Sequence, residues 1–226
     1  MNDTCLTDLM RKNIQILQQF NPADFNRQLQ KQSGYRDTDA FDTELYEHLG
    51  LKYDLLVDKR HLITYVGQHE IKFSADAWVG VKQLARISHN TTEWLDLYKN
   101  IQSNLKLRLL WPSHRLPTIN TSRYGYFHDR VDLLLLDIKR WFDGQPALLE
   151  KIYSNGETNL WLASFNSYWD FVKSMRLDWL LNNKQVIDIV NLTTFDEFSD
   201  LNELRRNQND KLMRRYIFNS IKLATE

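Results

Sequence analysis

Cysteine, glycine, proline and long apolar runs are all scarce in this chain, and each scarcity closes a class of explanation. One cysteine, Cys5, stands among 226 residues, so an internal disulfide framework is excluded. A chain of this size without disulfides fits a reducing cytoplasm better than an oxidising exterior. Seven glycines and four prolines leave no linker-like or low-complexity segment, and no repeat recurs at a fixed period, which predicts one globular domain over residues 1–226. No apolar run is longer than that from Leu133 to Leu136, far short of the ~18 residues a membrane-spanning helix needs. Asp3, Asp8, Arg11 and Lys12 interrupt the first apolar stretch, so it lacks the uninterrupted core of a signal peptide. An excess of either charge is missing too. Lysine plus arginine and aspartate plus glutamate number 29 each, so no global field draws the chain to nucleic acid or to an anionic membrane.

What is present is an ordered globular balance, 42% hydrophobic and 26% charged. The charge is unevenly spread. Residues 36–60 hold four basic and seven acidic side chains, whereas residues 105–130 hold five basic side chains, two histidines and one acid, which makes a local anion site the natural expectation there.

Helical spacing of Leu6, Leu9, Met10, Ile14, Leu17 and Phe20 predicts a helix over 4–20 that stops at Asn21-Pro22. Phe41, Leu45 and Leu49 predict another over 39–49, with Gly50 placed as its left-handed terminator. His61 to Val66 and His69 to Phe73, around Gly67-Gln68, predict a hairpin. Ser74 is placed as the cap of a helix carrying Trp78 to Ile87, and Asn90 with Glu93 as a capping box for one reaching Ser103. Leu105 to Trp111 is expected as a strand, because Pro112 disfavours a helical residue before it. A polar loop follows, then a central helix over 127–143 that is apolar nearly all round and ends at Gly144. Pro146 starts a short helix, 157–182 is rich in aromatics, Val186 to Val190 is a further strand, and Phe195 to Leu223 is helical with Leu201, Leu204, Leu212, Met213, Tyr216 and Ile217 facing inward. The expected class is α+β: a mostly helical single domain with a small sheet, made of the hairpin near 61–73 and strands near 105–111 and 186–190.

Common catalytic signatures are absent. There is no Gly-rich phosphate loop and no nucleophile elbow, and the histidines at 48, 61, 69, 89, 114 and 128 never fall at the spacing of a zinc helix. No metal or cofactor is therefore expected. Cys5 belongs to the first turn of the N-terminal helix, where fraying argues against a nucleophile. Trp94, Trp141, Trp161, Trp169 and Trp179 lie on helical apolar faces and suit a core, whereas Trp111, beside Pro112 and the basic loop, suits a stacking platform.

The richest segment is residues 110–132. Loops this long between a strand and a central helix are uncommon without a function or local order of their own. Arg115, Arg123 and Arg130 offer fork-shaped donors for carboxylate or phosphate, Asn120 a bidentate amide, and Trp111, Tyr124 and Tyr126 flat faces. Packed over the amino end of the central helix, they would suit a planar anion such as a nucleotide or a nucleic-acid end. His128 and Asp132, four apart on that helix, would form an oriented general base. The same residues also read as structure, for Asp129, Arg130, Asp132 and Asp137 would form a buried ion-pair network, since a charge among such apolar neighbours must be paired.

Trp111-Pro112, Ile119-Asn120, Arg123, Gly125, Asp129-Arg130, Asp132-Leu133, Leu135 and Ile138, followed by Tyr168 and Asp170-Phe171, carry a resemblance. Over about residues 105–182 the chain resembles an uncharacterised bacterial family of unknown function, with an aromatic-Pro, Ile-Asn, Arg-Gly, Asp-Arg-x-Asp-Leu and Tyr-x-Asp-Phe series. The resemblance implies no activity, and the chain departs from it where Tyr124 separates Arg123 from Gly125.

The functional expectation is a cytoplasmic protein that binds a phosphorylated or nucleotide-like ligand through Arg115, Asn120, Arg123 and Arg130, with Trp111 or Tyr124 stacking and His128 with Asp132 as candidate catalytic groups. One alternative is a non-enzymatic or self-assembling protein using the helix from Phe195 to Leu223, where adjacent Tyr216, Ile217 and Phe218 cannot all face one core. Another is a nuclease with Asp129, Asp132 and Asp137 as magnesium ligands, though Asp132 and Asp137 splay apart on a helix.

Overall fold

Asp54, with φ 54°, takes the left-handed conformation that closes the first described helix. The computed structural model describes residues 43–58, 61–79, 108–113, 119–197 and 199–225. The expected helices over 4–20 and 90–103, with Cys5 and Trp94, lie outside that set, as do residues 80–107. Helix α1 (Thr43–Tyr53) ends with the Leu55 N–H donating to Gly50 O at 2.9 Å, the six-residue bond of a Schellman end. Gly50, expected just past this helix, lies inside it. A Cβ at Gly50 would stand 2.5 Å from Val57 Cγ2 and 3.1 Å from Leu55 O, so close chain approach, not a left-handed turn, explains the glycine.

Strands β1 (Leu56–Asp58), β2 (His61–Val66), β3 (His69–Ala77) and β4 (Arg108–Pro112) form one antiparallel sheet in that order. The expected hairpin is β2–β3, turning at Gly67 with φ 60°. Its second arm runs to Ala77, because Ile71, Phe73 and Ala75 keep alternating into the core. Ser74 is consequently a strand residue opposite Trp111 and not a helix cap. The three-residue β1 was too short to show alternation in the sequence.

Part of the expected loop after β4 is helical: α2 spans Ile119–Phe127. Its buried positions, Ile119, Ser122, Arg123 and Phe127, follow helical spacing, but two are polar, so no hydrophobic period announced it. Central helix α3 runs Val131–Phe142 and buries every residue from Val131 to Ile138, each fully buried leucine contributing about 1.5–3 kcal/mol. It begins later than expected because His128 and Asp129 adopt φ 51° and 66°. It ends as expected at Gly144, φ 68°, with the Gln145 N–H donating to Arg140 O at 2.8 Å.

Helices α4 (Glu150–Tyr153), α5 (Gly156–Ala163) and α6 (Tyr168–Ser174) and the 3-10 turn Asp178–Leu180 follow. Here Trp161 meets Phe73, Trp111, Phe165 and Phe171 edge-on. Strands β5 (Leu181–Asn182), β6 (Gln185–Asp188) and β7 (Thr193–Thr194) make a second small antiparallel sheet. The tail is two helices, α7 (Leu201–Arg206) and α8 (Asp210–Thr225). Leu201, Met213, Tyr216 and Ile217 are buried and Phe218 packs half-buried against the core, so the three adjacent residues of the tail are all accommodated by one interior. Trp78 stacks with both Trp179 and Tyr216, tying β3 to α8. Eight helices and two antiparallel sheets among the described residues make the fold α+β, and no described helix is long and apolar enough to cross a membrane.

Candidate functional site

Arg123 sits on the buried face of α2, its side chain 2% exposed. Nη2 pairs with Asp76 of β3 at 2.5 Å and with Asp129 at 3.4 Å, and Nη1 donates to Trp78 O at 3.4 Å. This guanidinium bolts α2 to the end of β3. Its aspartates face it from a strand and from a left-handed turn, two positions that only the tertiary fold brings together.

Arg130 precedes α3 and is equally enclosed. Nε donates to Asp132 Oδ1 at 3.0 Å, and Nη2 to Asp132 Oδ2 at 2.5 Å and to Asp188 Oδ1 at 2.8 Å. Burial works against its charge, but Asp132 and Asp188 outweigh burial and raise its pKa above the ordinary arginine value. Asp132 also accepts the Leu133 and Ile189 N–H groups, and Asp188 accepts from Val190 N and Asn191 Nδ2. Tyr216 completes the joint: its hydroxyl accepts from Val131 N and donates to Asp129 O, and Arg130 lies over its ring at 5.7 Å. Burial, then Asp132, push the Tyr216 pKa well above its ordinary value, so the phenol stays neutral. A cleft of about 320 Å³ opens beside Arg130, lined among others by Asp188, Asp200, Glu203 and Gln208.

Of the remaining expected site residues, Trp111, Tyr124 and His128 are among those the structure describes. Trp111 is buried in β4, packed edge-on to Trp161, and offers no exposed face for stacking. Tyr124 and Tyr126 are exposed on α2, with Arg205 over the Tyr126 ring at 5.2 Å. Asn120 belongs to α2 by its backbone; its side chain, and all of Arg115, lie outside the described residues. His128 stands in the left-handed turn before α3, not on it, so the i, i+4 geometry expected for His128 and Asp132 does not arise. The three aspartates of the magnesium alternative serve separate partners: Asp129 pairs with Arg123, Asp132 with Arg130, and Asp137 accepts from Leu148 N, Leu149 N and Tyr153 Oη. Burial raises the Asp137 pKa, and those three hydrogen bonds together with the Arg140 charge offset it only in part. No group of three metal-ligating side chains occurs among the described residues.

One arginine that sequence spacing did not single out is differently placed. Arg140, near the end of α3, is half-buried, and Nη2 donates to Ser199 O at 2.5 Å. Among the described residues it forms no ion pair. It lines a cavity of about 270 Å³ whose walls include Leu136, Val186 and Phe195 on the apolar side and Lys139, Asp143, Asp196 and Glu197 on the polar side. Lys139 is held by Asp143, four residues on, at 2.5 Å. By sequence Arg140 is an ordinary last-turn cation complementing a helix dipole, and only the approach of β6 and of residues 195–197 makes a hollow around it.

A family model described as Family of unknown function (DUF6994) matches residues 23–225, a longer span than the 105–182 over which the residue pattern resembles such a family. No curated protein and no solved structure matches the chain.

Proposed function

The chain belongs to this family of unknown function, which supplies no chemistry of its own, and from the geometry we propose that it is a binding protein for a small anion, with the Arg140 cavity as its site. The proposal keeps the expected ligand charge and moves the contact. Arg123 and Arg130 each have two carboxylate neighbours, so an incoming anion would have to displace a buried aspartate to reach either. Such a displacement would leave an uncompensated carboxylate in the interior. Arg140 imposes no such condition. Its guanidinium has one backbone acceptor, is shielded enough to strengthen a charge-assisted hydrogen bond, and borders a hollow.

That single contrast, one guanidinium without an ion pair among the described residues beside a cavity against two carboxylate-paired ones in the core, carries the proposal. Concave sites with apolar walls and a few converging polar groups are where small ligands bind. A cytoplasmic setting agrees with the single cysteine. Calorimetric titration of the full chain with inorganic phosphate, AMP and short-chain carboxylates tests it. At least one anion should bind, more weakly as salt is raised, and Arg140→Gln should abolish the heat. Silence across the panel, or unchanged binding by Arg140→Gln, would overturn it.

A further inference from the structure

Resting on the Arg140 site just proposed, we infer that its ligand is a singly charged carboxylate carrying a short apolar body, not a phosphate. Charge is the first reason. Among the described residues that line the cavity, Arg140 is the one cation without an ion pair, because Lys139 is paired with Asp143 and Arg140 acts on the buried Asp137 only at longer range. Asp143, Asp196 and Glu197 line the same hollow. A phosphate monoester, at about −1.5 to −2 near neutral pH, would bring its second charge against those carboxylates with no cation left to balance it. One guanidinium balances one carboxylate, and its planar N–H groups match the two carboxylate oxygens.

The walls are the second reason. Leu136 and Val186 approach from α3 and β6, and Phe195 from the segment after β7. They offer a body of methylene groups or a ring a place away from water. Inorganic phosphate has nothing to place there, and a nucleotide brings more charge than one guanidinium balances. The rim acids add discrimination by repelling multiply charged anions while leaving a monoanion paired.

The test uses the full chain with hexanoate and benzoate, against hexanamide, inorganic phosphate and AMP, read as thermal shift and as calorimetric Kd. Hexanoate or benzoate should bind, hexanamide should not, and Arg140→Gln should weaken the carboxylate about ten- to a hundredfold, the range for losing a hydrogen bond to a charged group. Arg140→Lys should fall between, keeping charge without the fork. Glu197→Gln, on an exposed rim side chain, should tighten carboxylate binding, which a merely structural Arg140 would not predict. Binding of phosphate or AMP in preference to the carboxylates, with dependence on Arg140, would overturn this inference and leave the anion site standing. Failure of every anion would remove both, and equal binding of hexanamide and hexanoate would show an apolar hollow without charge recognition, removing both as well.

Discussion

Arg130 and Asp132, two positions apart, grip one another through two parallel hydrogen bonds at the start of α3, Nε to Oδ1 at 3.0 Å and Nη2 to Oδ2 at 2.5 Å. The same Asp132 carboxylate accepts the Ile189 N–H at 2.9 Å, and the same guanidinium reaches Asp188. A local pair is thereby made into a joint between the central helix and the turn after β6. Its members are acidic and basic in a sequence-local pattern that imitates a ligand site, and it is the fold they hold together.

Replacing Asp132 with Ala leaves Arg130 with one carboxylate and the Ile189 N–H without an acceptor. Removing one member of a buried ion pair costs about 3–5 kcal/mol, and urea unfolding should show a loss of that size. A loss below about 1 kcal/mol would mean the pair is not buried as described.

Gly50→Ala tests the close approach of β1 to α1. The added Cβ meets Val57 Cγ2 at 2.5 Å and a backbone oxygen at 3.1 Å. Overpacking of this kind costs about 1–3 kcal/mol, against the stabilisation of roughly 0.5–1 kcal/mol that alanine brings to a helix interior when there is room. A lowered melting temperature is expected; a raised one would place β1 farther away.

Asp137 gives a pH signature. Its pKa is raised above the ordinary carboxylate value, chiefly by burial, so in acid the folded chain holds a proton that the unfolded chain has released. Folded protons exceed unfolded ones across that window, and stability therefore falls as pH rises from the ordinary carboxylate value through the raised one. Asp137→Asn removes the effect. The stability of wild type relative to the variant should decline over that acid range and then level off, and an opposite slope would contradict the burial of this carboxylate.

Leu192 is an exposed leucine with φ 56° in the turn after β6. Left-handed backbone costs a branched residue roughly 1–2 kcal/mol, and asparagine tolerates it better. Leu192→Asn should raise stability by about 1 kcal/mol in thermal unfolding, whereas a loss would show that the side chain packs more than its exposure suggests.

Much of this architecture was written in residue patterns. The β2–β3 alternation, the all-round apolar surface of α3 and its Gly144 terminator, and the inward residues of the tail all appear where their spacing placed them. Helix α2 stayed hidden because its buried face includes Ser122 and Arg123, which a hydrophobic period cannot register. Its polar content made it resemble a functional loop. The partners of Arg123 and Arg130, Asp76 and Asp188, stand 47 and 58 positions away, and no local pattern announces a pairing at that distance. Arg140 was passed over for the converse reason: nothing near it in sequence distinguishes it, and its cavity is formed by β6 and the segment beyond β7.

Urea unfolding of Arg130→Gln and Arg140→Gln side by side separates a structural arginine from one held for a ligand. Arg130→Gln should lose about 3–5 kcal/mol, because Asp132 and Asp188 are left buried without their counter-charge, and Arg140→Gln, with one hydrogen bond to Ser199 O and a longer-range influence on Asp137 to lose, about 2 kcal/mol or less. Equal losses, or an Arg130→Gln variant as stable as wild type, would contradict the division of roles drawn between them.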